Sequence, residues 1–441
     1  MREQWRSRAG FILATIGAAV GLGNIWRFAY VAGENGGGAF LLVYVVLVCT
    51  VGLPLLIAEL ALGKSGAADA VTVFERPAPR SAWRHAGWLG VAGAVLILSY
   101  YSAIAGWALR YFVAAGAGVL WEAAGAGYGG YFARFIANPG EPLGWQLAMM
   151  LATMFVVMGG VRAGIERINV VLMPLLALIV LVLAGYALTL PGGGRGVAFL
   201  FAPDWGRLLD PAVLLAALGQ AFFSIGLGVA VFVTYGSYMP GGFSVARSAA
   251  AVVAGDTLFA LVAGLAIFPA VFAFAGNPAA GPELAFVTLP QIFLAMPGGR
   301  AVGTVFFFLL SAAALTSMIS LLEVPVATAM HRFGWRRWRA VAVCGGAIWL
   351  LGLPAGMSHG LLGHVRIGGM PVLDAMDHAV SNIVLPLSGM AVALFMAYVL
   401  PRHGRVNLPE LRARPARRAF LGVLRVIPFA IAAMMVFRLF G

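Results

Sequence analysis

Apolar runs of about twenty residues recur along this chain, separated by short polar segments, and a run of that length is what a helix needs to cross the hydrocarbon of a bilayer. Eleven are read, near residues 9–32, 39–63, 86–115, 146–160, 165–189, 212–238, 245–275, 300–330, 339–354, 375–400 and 419–440. They are numbered spans one to eleven below. The runs are continuous rather than alternating, which argues against a β-barrel. Composition agrees: the 441 residues are 62% apolar and 10% charged, with a mean hydropathy of +0.94. A soluble domain is about half apolar and a quarter charged, so a soluble fold is excluded. The expected class is an all-α membrane protein with about 11 transmembrane helices. The first run is not read as a cleavable signal peptide, because it is long, rich in glycine, carries Asn24 and Arg27, and lacks a small-residue cleavage site.

The formal charge of +13 is a matter of orientation. With the N-terminus inside, most of the 29 lysines and arginines fall in cytoplasmic segments, including Arg2, Arg6, Arg8, Lys64, the group from Arg332 to Arg339 and the group from Arg402 to Arg418. The bias predicts a multi-pass protein of the inner (plasma) membrane with a cytoplasmic N-terminus. Anionic lipid near a basic inner loop accounts for residues 402–418 without any nucleic acid, so the bilayer is the expected partner. Cys49 and Cys344 lie inside apolar runs and imply neither disulfide nor metal cluster. The larger outer segments, 116–145, 190–211, 276–299 and 355–374, are too short for independent domains, so residues 1–441 form one transmembrane domain. No nucleophile–base, HExxH or Walker pattern occurs, and neither enzyme activity nor an organic cofactor is expected. Nothing in the sequence sets an oligomeric state.

Spans one and six share an anomaly. Val20-Gly21-Leu22-Gly23 and Ile225-Gly226-Leu227-Gly228 echo each other 205 residues apart. Glycine disfavours a helix interior by about 1 kcal/mol relative to alanine, so paired glycines at mid-span suggest unwound backbone. Unwound backbone in a membrane needs partners for its freed N–H and C=O groups. Matching interruptions in two halves point to an inverted-repeat transporter with a midplane site. Close helix packing through small residues is the other reading.

The run from Gly17 to Phe28, GAAVGLGNIWRF, followed by Glu34-Asn35-Gly36-Gly37-Gly38-Ala39-Phe40, resembles the opening of the neurotransmitter:sodium symporter family. The resemblance continues through Pro54 and Glu59, Tyr100-Tyr101, Gln220-Ala221-Phe222-Phe223-Ser224, Thr234-Tyr235-Gly236-Ser237-Tyr238 and Ala313-Ala314-Leu315-Thr316-Ser317. It implies a 5+5 inverted repeat with broken helices one and six, residues 1–189 and 212–400 being the two halves and 419–440 an additional helix. It also implies sodium-coupled amino-acid symport by alternating access.

Further implications concern individual residues. One Na⁺ site would use the Ala19 carbonyl, Asn24, Ser224, Asp256 and the carboxylate of the substrate. A second would use the carbonyls of Gly17, Val20 and Ala313 with Thr316 and Ser317. Hard oxygen donors suit Na⁺, and Thr316 and Ser317 are hydroxyls in an otherwise apolar span, although mid-span hydroxyls also bond back to their own helix. Asp256 stands where the family commonly has Asn, and Ala260 where many members have a serine or an acid involved with chloride. A carboxylate at mid-membrane is functional by default, and here it is expected to supply the charge that chloride supplies elsewhere, making transport chloride-independent. Pairing of Asp256 with a distant arginine is the alternative.

The residue at position 21 separates substrate classes in the family. With Gly21 rather than an acid, the substrate brings its own carboxylate, meeting sodium, the Tyr101 hydroxyl and the N–H groups of Gly21 and Leu22, while its ammonium meets carbonyls near Ala19 and Phe223. A side-chain pocket of Ile97, Tyr101, Ile104, Phe223, Gly226, Val229, Ser317 and Leu321, beside Ser224, would take a neutral, hydrophobic or aromatic L-amino acid and reject a charged one. Arg27 and Asp377 would form the outer gate, with Tyr101 and Phe223 as a lid. Arg2, Trp5 and Tyr238 would seal the inside. His331 replaces the acid usual opposite Arg2, so a strong inner ion pair is not expected, and His331 is either a gate residue or a solvated one. Glu59 and Glu323 read as structural partners. A sodium-independent exchanger of the same fold and a transport-inactive sensor are the alternatives.

Overall fold

The computed structural model describes residues 3–123, 127–403 and 414–440. Helices make up most of it, and among the described residues strand-like pairing is limited to one antiparallel bridge, Ile367 with Met370. Eight helices are long and apolar enough to cross a bilayer alone: Gly38–Gly66, Arg84–Gly116, Glu141–Met158, Val161–Leu188, Val245–Ala273, Gly299–Phe333, Arg337–Gly356 and Val372–Arg402. They coincide with spans two to five and seven to ten. Span one is a bent pair, Arg8–Ala19 with Gly23–Glu34, turning by 53°. Span six is also in two pieces, Pro211–Ile225 and Val231–Ser237. The region of span eleven forms the helix Arg414–Phe440. Length and composition therefore establish eight crossings, nine with the bent pair, among the described residues.

Local chemistry explains where these helices start and distort. Ser7 and Asp210 cap spans one and six by accepting from the Gly10 and Ala212 N–H groups at 2.9 Å each, satisfying donors that a helix start leaves free. Three π turns, Val48–Gly52, Val380–Val384 and Phe395–Val399, each end two residues before a proline: Pro54, Pro386 and Pro401. Proline has no N–H to offer the preceding turn, and the wider i→i+5 register accommodates the gap inside a continuous span.

Spans three and eight pack on each other along their length and are the most enclosed. Spans four and five turn large apolar residues such as Phe155 and Leu181 outward, as a bilayer requires and water would not reward. Span one packs against spans five, seven and eight, and both pieces of span six pack on span two.

Candidate functional site

Each broken helix strands peptide groups that a continuous one would pair. In span one, Val20 still donates to the Ile16 carbonyl at 2.7 Å, but Val20 itself is extended (φ −69°, ψ 111°). The Gly21 N–H, which a continued helix would aim at the Gly17 carbonyl, goes to Asn24 Oδ1 at 3.0 Å. The Leu22 N–H goes to the Tyr101 hydroxyl at 2.9 Å. On the acceptor side, Gln220 Nε2 donates to the Gly23 carbonyl at 2.8 Å. A Cβ at Gly21 would lie 2.3 Å from Ser317 Oγ and 2.7 Å from the Tyr101 hydroxyl, so a larger residue there would require both side chains to move.

In span six, Gly226, Gly228 and Ala230 all have positive φ, at +78°, +83° and +57°. The freed Gly228 N–H donates to Glu59 Oε1 at 2.8 Å, so Glu59 supports the break. A Cβ at Gly228 would come 2.6 Å from the Leu385 carbonyl oxygen. The unwound backbone is thus held by side chains of spans two and three together with Asn24 and Gln220 of the broken spans themselves, which is the condition for breaking a helix inside hydrocarbon.

Two oxygen-rich places adjoin the break in span one. In the first, Asn24 Nδ2 donates to Asp256 Oδ1 at 2.7 Å and lies 3.1 Å from Ser224 Oγ, and Ser224 Oγ donates to Asp256 Oδ2 at 2.9 Å. The Tyr44 hydroxyl, absent from the sequence expectation, reaches Ser224 Oγ at 3.2 Å. Asp256 has 0% exposure, and among the described residues no cation pairs with it within 4 Å. The arginine pairing that the sequence left open is not formed. A buried carboxylate with only neutral neighbours is costly, and a small hard cation in this oxygen set would relieve it.

In the second place, the Thr316 hydroxyl lies 2.8 Å from the Ala313 carbonyl oxygen and 3.4 Å from that of Val20, and Ser317 Oγ lies 3.3 Å from the Val20 carbonyl. Thr316 therefore bonds back to its own helix while facing the break in span one. Asn169 Oδ1 sits against Gly17, where any Cβ would collide with it.

Between the two breaks is a small cavity of about 40 Å³. Ala19, Gly21, Ile97, Tyr101, Phe223, Gly226, Val229, Ser317 and Leu321 line it, as expected from the sequence. One expectation needs correction: Ile104 faces a larger outer cavity instead. The Leu22 N–H meets the Tyr101 hydroxyl, and Ser224 lies in the Asp256 cluster. Phe232, Ser320 and Leu385 line the cavity but were not foreseen. For Phe232 the roll about the helix depends on the exact break in span six, which spacing does not reveal.

Tyr101 and Phe223 line both this cavity and the outer one of about 300 Å³, and so divide them. The outer gate differs from expectation: no Arg27–Asp377 ion pair forms within 4 Å among the described residues. The Arg27 guanidinium stacks 4.2 Å over the Phe223 ring, and Asp377 Oδ1 accepts from the Tyr100 hydroxyl at 2.9 Å and Ser381 Oγ at 3.1 Å. Arg27 and Asp377 face each other across the outer cavity they line. On its rim, burial lowers the pKa of His359 against partial opposition from Asp374.

The end of the molecule that carries the N-terminus is closed. Trp5 Nε1 donates to the Tyr235 carbonyl at 3.0 Å, its N–H donates to the Tyr238 carbonyl at 3.2 Å, and its ring packs edge-on to Phe11, Tyr235 and Tyr238. Contrary to expectation, a strong ion network closes this side. Arg337 binds Glu323 at 2.8 Å and Glu3 at 3.1 Å, and Tyr238 donates to Glu323 at 2.7 Å. The charge opposite the acid comes from span nine, which the resemblance did not indicate. Arg2 lies outside the described residues. His331 is not part of that network: its side chain is 43% exposed, and its Nδ1 pairs with the buried Asp69 Oδ2 at 2.7 Å.

The model of the "Sodium:neurotransmitter symporter family" matches residues 2–128 and 132–438. The chain is similar to the sodium-dependent transporter YhdH of Bacillus subtilis (44% identity over 89% of this chain and 87% of the relative). It is similar to a sodium-dependent transporter of Haemophilus influenzae (30% identity over 100% and 98%). It is also similar to the crystal structure of MhsT in complex with L-phenylalanine, with a TM-score of 0.92 and 48% identity over 99% of both chains.

Proposed function

We propose, from the premise that this chain belongs to the sodium:neurotransmitter symporter family, a specific form of that family's transport. The chain is a multi-pass membrane transporter that uses Na⁺ and is a sodium-coupled amino-acid symporter. The finer reading is symport of a neutral, hydrophobic or aromatic L-amino acid with two Na⁺ sites and no need for chloride.

One observation carries this reading: the buried Asn24–Ser224–Asp256 cluster, whose carboxylate has no side-chain cation within 4 Å among the described residues. One Na⁺ would complete it together with the Ala19 carbonyl and the substrate carboxylate. A second would sit among the Gly17, Val20 and Ala313 carbonyls, Thr316 and Ser317. Two cations and a zwitterion carry an excess of positive charge that a resident carboxylate offsets, which is the argument for chloride independence. The apolar lining of the inner cavity supports a neutral side chain, as does the phenylalanine bound to the similar structure.

Na⁺ shifts the population only if it prefers one form. Here it would bridge spans one and eight and hold the inner seal closed. Substrate would then complete the first site and draw Phe223, Arg27 and Asp377 together. Residues 1–189 and 212–400 are read as the inverted repeats that rock about this site. The basic Arg162, Arg332 and Arg337 contact the same end as Glu3 and Gln4 or its neighbour Asp69, which supports a cytoplasmic N-terminus in the inner membrane.

The test is a thermal-shift panel of the twenty amino acids in sodium and in potassium buffer, since a ligand that binds the folded state stabilises it. Stabilisation by phenylalanine-like and leucine-like residues, in sodium only, is expected. Equal stabilisation in potassium would indicate the sodium-independent exchanger, and none in either would leave the sensor or transporter reading without a ligand of this class and overturn the substrate assignment.

A further inference from the structure

Behind the outer halves of spans six and ten lies a separate cavity of about 320 Å³ that shares no lining residue with the outer one. Gly219 and Phe222 of span six, Ser381 and Pro386 of span ten and Ile431 of the C-terminal helix form its walls. Ile383, also on its edge, is 48% exposed, so the chamber opens sideways, where the bilayer would be. A buried apolar cavity of about 150 Å³ suffices for benzene, and this one is about twice as large.

Its chemistry is uneven. His378, Ser381 and Asn382 bring polar groups to the end nearest the outer surface, and the rest is apolar. Among the described residues no lysine, arginine, aspartate or glutamate lines it, so an uncharged head enters at less cost than a phosphate or a carboxylate. The volume is open space: a Cβ built on Gly219 would meet nothing within 4 Å.

The chamber is wired to the outer gate twice. Ser381, on its wall, donates to Asp377 Oδ1 at 3.1 Å, the same oxygen that accepts from Tyr100. Phe222, on the opposite wall, is followed in the chain by Phe223, the lid beneath Arg27. An object between spans six and ten therefore presses on both gate elements from behind.

We propose that this chamber binds a single-chain neutral amphiphile of the outer leaflet, its hydroxyl or carbonyl head at His378 and Asn382 and its chain along Gly219 and Phe222. Bound there, it acts as a wedge that slows closure of the outer gate. The binding half stands on the cavity alone, and the effect on rate rests on the transport reading above.

The probe is 1-monooleoylglycerol, applied to the full-length protein. It raises the thermal midpoint of the wild type by several degrees, and in proteoliposomes it lowers the maximal rate of sodium-driven amino-acid uptake about threefold while leaving half-saturating Na⁺ unchanged. Gly219→Phe fills the chamber, lowers the basal rate in the same way and abolishes both responses. Gly219→Leu serves if the larger side chain prevents folding. Oleate, whose head is charged, gives neither response. Equal responses in wild type and filled variants, or no thermal response in the wild type, overturn the proposal. Loss of uptake in every arm with the thermal response intact overturns the wedge effect and counts against the transport reading, leaving the binding site standing.

Discussion

Asp256 receives hydrogen bonds from Asn24 and Ser224 and from no charged group, which makes it the residue on which sodium affinity should depend most. Asp256→Asn keeps the shape and removes the charge, and a sodium titration of amino-acid binding is expected to show half-saturation rising tenfold or more, about 1.4 kcal/mol. Thr316→Val is the matching probe at the other place. It replaces a hydroxyl by a methyl of the same size, and the same titration is expected to weaken by about 1–3 kcal/mol with the thermal midpoint in sodium-free buffer unchanged. A midpoint that falls in both buffers would mean that Thr316 serves only its own helix through the Ala313 carbonyl. Asp256 was legible in the sequence because a lone carboxylate in an apolar run has few structural uses. Tyr44 was not, since a tyrosine in an apolar span looks like packing until its hydroxyl is seen 3.2 Å from Ser224 Oγ.

At the level of elements, the break in span six depends on Glu59 accepting the Gly228 N–H. Glu59→Gln retains an acceptor oxygen and is expected to bind substrate nearly as well as the parent. Glu59→Leu leaves that N–H buried and unpaired, at a cost of about 1–3 kcal/mol, seen as a lowered thermal midpoint together with lost binding. Gly228→Ala, which meets the Leu385 carbonyl oxygen at 2.6 Å at φ +83°, is expected to be worse than either. The paired glycines announced both breaks because glycine inside hydrocarbon is conspicuous. The end of the second break was hidden: Ala230 has φ +57°, yet alanine is the best of helix formers, and only the tertiary setting holds it there. The π turns before Pro54, Pro386 and Pro401 were equally invisible, since a proline can kink a span, end it or widen one turn.

Over the whole molecule, the inside is closed by Trp5 and the Arg337–Glu323–Glu3 network while Arg27 and Asp377 stand apart on the outside. The span order and basic loops were readable from hydropathy and charge, but the gates were not, because whether two charges meet depends on the form the molecule adopts. Trp5→Ala is expected to unseal the inner end and raise the apparent dissociation constants for substrate and Na⁺ together, as follows when the competent form is a smaller fraction of the population. Equal affinities in parent and variant would mean that Trp5 only anchors the N-terminus. If Na⁺, assisted by a resident carboxylate, drives amino-acid entry, the decisive test is uptake of labelled L-phenylalanine into proteoliposomes under an inward sodium gluconate gradient with no chloride present. Accumulation above equilibrium that vanishes when potassium replaces sodium is the predicted result; uptake indifferent to sodium, or absent until chloride is added, would contradict it.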